Sequence, residues 1–216
     1  MIHALLAALA LKDEARTGWV LRGIREPESV ADHSWGTALL VMVHAGDTSD
    51  PGSAGATREV DRSRALEIAI VHDLAEAITG DVATRVKGMS NPEAGEAKRE
   101  RERDAMQRLM ARFSAEQASR LMSAWEEYEM RSSLEALFVR DMNLIDMCLQ
   151  ACRYEEQGRY DLDGPNPDFP DYEGLDEFFA TTRPRLSTAV GKRLFEQVLA
   201  HYRELPRVSA RGGPQF

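Results

Sequence analysis

Cysteine is scarce in this chain, with only Cys148 and Cys152 among 216 residues. They lie four apart in a stretch that reads as helix, where consecutive turns present thiols poorly for a bridge. No disulfide framework is expected, and a reducing cytoplasm is the expected compartment. No run reaches the ~18 apolar residues of a membrane helix. No Lys or Arg precedes the opening IHALLAALAL, which runs straight into KDEAR, so it reads as a first helix, with a signal-peptide core as the lesser alternative. Positive charge is short too: 27 Lys and Arg against 36 Asp and Glu leave -9, which argues against a nucleic-acid polymer as partner. A small anion held by a local arginine or metal pocket stays open. Strand alternation and internal repeats are also missing. The chain should therefore be all-α, with one domain over residues 1–205 and a disordered tail over 206–216.

What is present is a series of apolar helical patterns. Residues 2 to 14 predict a buried helix ended by Thr17-Gly18. TGWVLRGIREPESVADH reads as irregular, broken by Gly18, Gly23 and Pro27. It carries Arg16 just before it, then Trp19, Arg22 and Arg25, a set suited to a phosphate-bearing, ring-containing ligand. The plainer reading is that Trp19 anchors the loop and the arginines are solvated. Ser29 or Asp32 can cap the next helix, which runs to Gly46. A mobile loop over 47–57 should follow, and then a helix from about Arg58 that Gly80 stops. A second loop, 82–98, leads into a charged helix with Met106, Leu109, Met110 and Phe113 as its buried stripe. Helices over about 115–130 and 132–157 follow. An extended connection over 158–172 then precedes one or two terminal helices that Pro184 begins or kinks.

The segment VHDLAEAITGD sets His72, Asp73, Glu76 and Asp81 among apolar neighbours, where unpaired burial would cost several kcal/mol. In a helical bundle His33 can converge with His72 and Asp73, giving two imidazoles and a carboxylate from two helices. Such mixed ligands suit one divalent transition ion, and Mn, Co, Fe, Ni and Zn are not distinguished by them. Glu76, one turn after His72, falls on the same face and can position or deprotonate a metal-bound water. Asp81, just past the helix end, can serve as acid for a leaving oxygen. A buried hydrogen-bonded cluster without metal is the plainer alternative. Asp141, Asn143 and Asp146 form a second set of polar residues inside a buried pattern.

ESVADHSW, VHDLAEAITGD and EALFVRDMNLIDMCLQACRYE, in that order, resemble the successive motifs of HD-domain metal-dependent phosphohydrolases. The closest resemblance is to the 5′-deoxynucleotidase group, from about residue 5 to 157, with RTGWVLRGIREPESVADH similar to its eukaryotic members. The resemblance implies an all-α HD-domain fold and a homodimer. It implies removal of the 5′-phosphate from (2′-deoxy)nucleoside monophosphates by attack of a metal-bound water. His33, His72 and Asp73 match metal ligands, Glu76 the residue that positions the water, and Asp81 a second catalytic acid. Trp19 matches an aromatic that packs against the sugar. Bacterial members place an arginine directly before it, where this chain has Gly18, so Arg16 or Arg22 would take over phosphate binding. The fourth metal ligand, an aspartate in the family, aligns with Asn143, and Asp141 is the second choice. A regulatory protein that binds metal and nucleotide without hydrolysis is the alternative function. A di-iron oxygenase of HD type is disfavoured, since His201 is the only histidine after the His-Asp pair.

Overall fold

The computed structural model describes residues 2–46, 59–83, 92–160 and 170–206. The loop expected over 47–57, the centre of the one over 82–98, most of the 158–172 connection and the tail from 207 lie outside the described residues. Among the described residues every regular element is helical, as expected. A single antiparallel bridge pairs Ala15 with Ser29.

Helix α8 (Leu134–Gln157) is the axis of the fold, and α3 (Val30–His44), α4 (Arg62–Val71), α7 (Ala115–Met130), α9 (Asp176–Thr182) and α10 (Ala189–Glu204) pack around it. Its sequence explains that position. Phe138, Val139, Met142, Leu144, Ile145, Met147, Cys148, Ala151 and Cys152 cover more than one face and are all buried, as expected for a helix apolar nearly all round. Neither cysteine is in a disulfide, and both are buried.

Helix starts follow local chemistry. Ser29 accepts from the Asp32 amide while Asp32 returns a bond to the Ser29 amide, so both candidate caps of α3 act together. Ser114 and Gln117 repeat this box on α7, Asp61 caps α4, and Ser133 caps α8. Gly158 ends α8 at a φ of 56°.

Several expectations are corrected or narrowed. The N-terminal pattern breaks into α1 (Ile2–Ala8) and a 3-10 turn, Leu9–Lys12, and only Ala4 and Leu11 are buried there. Ile2, Leu5, Leu6 and Leu9 stay exposed because α1 lies at the rim of the bundle. Thr17 and Gly18 do not end that helix; they open a short α2 (Thr17–Leu21) inside the segment that reads as irregular. Helix α6 (Pro92–Met110) begins within the predicted second loop, since Pro lacks only an N–H that a first turn leaves unbonded. Pro184 sits in a 3-10 turn, Arg183–Arg185, so α9 and α10 are separate helices.

The last correction matters most for the site. The helix read from about Arg58 through Gly80 stops at Val71. Leu74 then bonds back to Val71, Glu76 to Asp73 and Ala77 to Leu74, three residues back each time. A tighter turn therefore carries His72 and Asp73 before the short helix α5 (Glu76–Thr79), which Gly80 closes at a φ of 73°.

Asp141 is used by the fold. Its carboxylate accepts bonds from the Ser187 and Thr188 amides and the Thr188 hydroxyl, fixing the start of α10. Asp141→Ala should lower stability by about 1–3 kcal/mol, because these part-buried donors lose a buried, charged acceptor. A thermal melt checks the loss, and bound metal should stay unchanged.

Candidate metal centre and substrate cavity

The first turns of α3 and the tight turn after α4 meet at α8, and this brings His33, His72 and Asp73 together. Their ligand-type atoms lie within 4.8 Å of one another. The Asp73 Oδ2 is 3.8 Å from the Nε2 of His33 and 3.2 Å from that of His72, and the two rings stand 5.5 Å apart.

Each imidazole is held from its other side. His33 Nδ1 lies 2.7 Å from Asp146 Oδ2, and His72 Nδ1 lies 2.8 Å from the Ala69 carbonyl oxygen. With Nδ1 donating, each Nε2 carries a lone pair, and both Nε2 atoms are buried without a hydrogen bond. His72 Nε2 is close to Asp73 but misaligned for one. Two buried, unbonded nitrogens converging on a carboxylate oxygen suit a divalent ion.

Burial, with Arg16 and His72 nearby, pushes His33 down to about 3, so it stays neutral and its contact with Asp146 is a hydrogen bond between neutral and acidic partners. Burial pushes Asp146 up to about 7. Burial opposes charge on His72 and Asp73 as well, but each outweighs that for the other: His72 is raised and Asp73 lowered. A proton on His72 thus competes with a metal for Nε2.

Gly36 makes the Asp146 contact possible. A Cβ there would fall 2.0 Å from Asp146 Oδ1, so only glycine lets α3 approach α8 this closely. Gly36→Ala should shift Asp146, loosen His33 and weaken metal affinity by about 10- to 100-fold, as losing a ligand's hydrogen-bond partner does. Titration with Mn or Co checks this. A purely local helix effect would instead favour alanine by up to ~1 kcal/mol.

A match to the HD domain family model spans residues 8–165. The chain belongs to the HD domain family. Among relatives of this HD domain, the 5'-deoxynucleotidase HDDC2 of Bos taurus is 37% identical over 146 residues, which are 68% of this chain and 63% of the relative. The human protein of that name is 36% identical over 68% of this chain and 64% of its own length. The chain thus spans just under two thirds of the length of these curated relatives. A conserved hypothetical protein from Pyrococcus furiosus matches in structure with a TM-score of 0.67 and 29% identity, covering 95% of this chain and all of that one.

Beside the HD domain's metal group lies a cavity of about 320 Å³. Glu76, Asp81, Trp19, Arg16 and Asn143 all line it. Glu76 is buried, its Oε2 lacks a partner, and Lys98 Nζ lies 3.9 Å from Oε1. Burial, then the negative charges of Asp73 and Asp81, push its carboxyl up to about 10. Asp81 Oδ2 accepts from the Thr17 amide at 2.8 Å, tying the end of α5 to the start of α2.

Trp19 reaches the cavity only at its margin. Its indole is 2% exposed, stacks on Phe178 at 4.1 Å, and donates to Glu28 Oε1 at 2.8 Å. Arg16 faces the metal group, 3.3 Å from Asp73 Oδ2, and that charge holds its guanidinium above the usual range despite burial. Arg22 is not brought to the cavity. It donates to the Gly174 carbonyl and pairs with Glu177 at 3.5 Å, which locks α2 to the segment before α9.

Asn143 donates from Nδ2 to the Tyr128 hydroxyl at 2.8 Å, which leaves Oδ1 as its ligand-type atom. Asp141 points instead to α10, so the two polar residues of this turn part as their two-residue spacing requires. Lys98, Glu102 and Glu129 also line the cavity, and nothing in the charged sequence of α6 or the end of α7 marks them for it. Asp146 was visible only as one polar residue in an apolar pattern, with no sign of its link to His33.

Proposed function

We propose that this HD domain removes the 5′-phosphate of nucleoside monophosphates, with 2′-deoxyribose the preferred sugar, in a metal-dependent hydrolysis. The observation that carries the reading is the pair of buried, unbonded Nε2 atoms of His33 and His72 beside Asp73, next to a cavity lined by a buried Glu76 whose Oε2 has no hydrogen bond. The names of its relatives support the substrate class. His33, His72, Asp73 and the Asn143 Oδ1 would hold one divalent ion. Such an ion, when bound, neutralises charge on a phosphoryl oxygen and makes water a stronger nucleophile.

Glu76 orients the attacking water and takes its proton, for which its carboxyl must first be ionised. The new P–O bond forms as the bond to the 5′-oxygen breaks, and Asp81 supplies the proton that this oxygen needs to leave. Arg16 steadies Asp73, and Trp19 closes the sugar side. We place the activity in a reducing cytoplasm, in one domain over residues 1–205, and in a homodimer. Exposed Trp35, Leu39, Met42 and Val43 on α3, together with the apolar face of α1, support the dimer.

Phosphate release from deoxy- and ribonucleoside monophosphates, each with Mn, Co, Fe, Ni or Zn, tests the reading. A second reading, nucleotide binding without hydrolysis, draws on the neutral Asn143. Bound nucleotide that survives saturating Mn or Co would favour it.

A further inference from the structure

Besides the exposed Arg99 on α6, three arginines of the cavity have no role so far. Arg131 caps the C-terminus of α7 at a φ of 52°, Arg140 lies on α8, and Arg185 ends the 3-10 turn before α10, so three separate elements bring them to one cavity. Arg16, Arg22 and Arg64 each sit against a carboxylate. Among the described residues the guanidinium groups of Arg131, Arg140 and Arg185 make no ion pair and no hydrogen bond; Arg131 bonds only through its amide, to the Tyr128 carbonyl. Arg140 and Arg185 are half-buried, and burial and their arginine neighbours hold both guanidinium groups below their ordinary range.

The carboxylates nearest them are engaged elsewhere or held back from ionising. Asp141 is spent on Ser187 and Thr188. Burial and Glu102 keep the Glu129 carboxyl toward its neutral form. Asn143 lies three residues after Arg140 on the same helical face, and its amide offers no charge to neutralise the guanidinium. An acid at 143 would do so. Like charges clustered without partners oppose folding, so an anion that enters the cavity relieves a cost already present in the free protein. Guanidinium forks match phosphate oxygens two at a time.

We propose that Arg131, Arg140 and Arg185 form the wall that grips the phosphoryl oxygens of the substrate, in place of Arg16 and Arg22. Arg16 is neutralised by Asp73, and Arg22 is outside the cavity. The proposal rests on the phosphomonoester reading above and assigns its phosphate pole. The neutral Asn143 then has a second consequence: it leaves the wall free for phosphate.

Calorimetric titration of inorganic phosphate into the full chain tests the wall, in wild type, Arg131→Gln, Arg140→Gln, Arg185→Gln and Arg140→Lys. Each glutamine variant should bind phosphate about 10- to 100-fold more weakly, the usual scale for losing a hydrogen bond to a charged group. Arg140→Lys should fall between wild type and Arg140→Gln. Binding of the unphosphorylated nucleoside and the metal content should not change, and thermal melts identify any variant that fails to fold. Wild type that takes up no phosphate at millimolar concentration, or glutamine variants that bind it like wild type, would overturn the wall. Hydrolysis with KM unchanged in the variants overturns the wall but leaves the activity. Arginine-dependent phosphate binding without release from any nucleotide keeps the wall and overturns the activity.

Discussion

Glu76→Gln should lower phosphate release by about 10²- to 10⁴-fold, the range for losing a positioned general base. It should also stabilise the metal-free protein. Burial beside Asp73 and Asp81 raises the Glu76 carboxyl from its ordinary value to about 10. Folding therefore favours its protonated form. That contribution is complete below about pH 4.5, the unfolded value, and is lost as pH rises toward 10. At about pH 8 the wild-type apo chain has lost most of it, whereas glutamine keeps a neutral side chain of the same shape. The gain should be on the order of 2 kcal/mol, or roughly 4–8 °C in melting temperature for a domain of this size. Bound metal supplies positive charge and should shrink the difference. A variant that is inactive but more heat-stable in chelator identifies a residue kept for chemistry. Equal activity would remove Glu76 from the mechanism.

Asn143→Asp should tighten Mn or Co binding by about 10- to 100-fold, equivalent to roughly 1.4–2.8 kcal/mol for one added negative charge. The exchange is sterically small, and the contact with Tyr128 survives by reversal, the hydroxyl donating where it now accepts from Nδ2. Tyr128 in turn packs on His72 with ring centres 5.1 Å apart, which ties position 143 to the metal group. The same aspartate would pair with Arg140 and weaken phosphate binding. Metal and phosphate affinity should therefore move in opposite directions, and competitive metal titration with phosphate calorimetry reads both. Unchanged metal affinity would count against Asn143 facing the ion.

Much of this architecture is legible in the sequence because helices announce themselves locally. The apolar stripe of α6, the span of α7 and the nearly all-apolar α8 follow from spacing alone, and Ser29 and Asp32 mark where α3 starts. His33, His72 and Asp73 stand out because their burial needs a partner. What stayed hidden depends on how helices approach one another. The turn at His72 carries no glycine or proline, and it is set by packing of α4 and α5 against their neighbours. Gly36 looks like a weak point in an apolar helix until Asp146 on α8 is found against it. Arg131 and Arg185 are far apart in sequence, and only the meeting of α7, α8 and α10 puts them beside Arg140.

Exposure of the first helix misled for a related reason. Ile2, Leu5, Leu6 and Leu9 have the composition of a core helix, yet they lie at the rim. Periodicity reports which residues share a face, and it does not report whether this chain supplies the surface that covers it.

Phosphate release by wild type and His72→Ala, from a panel of deoxy- and ribonucleoside monophosphates with each divalent metal, tests the central claim most directly. Removing His72 takes away one of the two Nε2 atoms at Asp73. Wild type should release phosphate from deoxynucleotides with at least one metal, and His72→Ala should lose that release and its bound metal together. Release that survives in His72→Ala, or no release by wild type from any nucleotide with any metal, would contradict it.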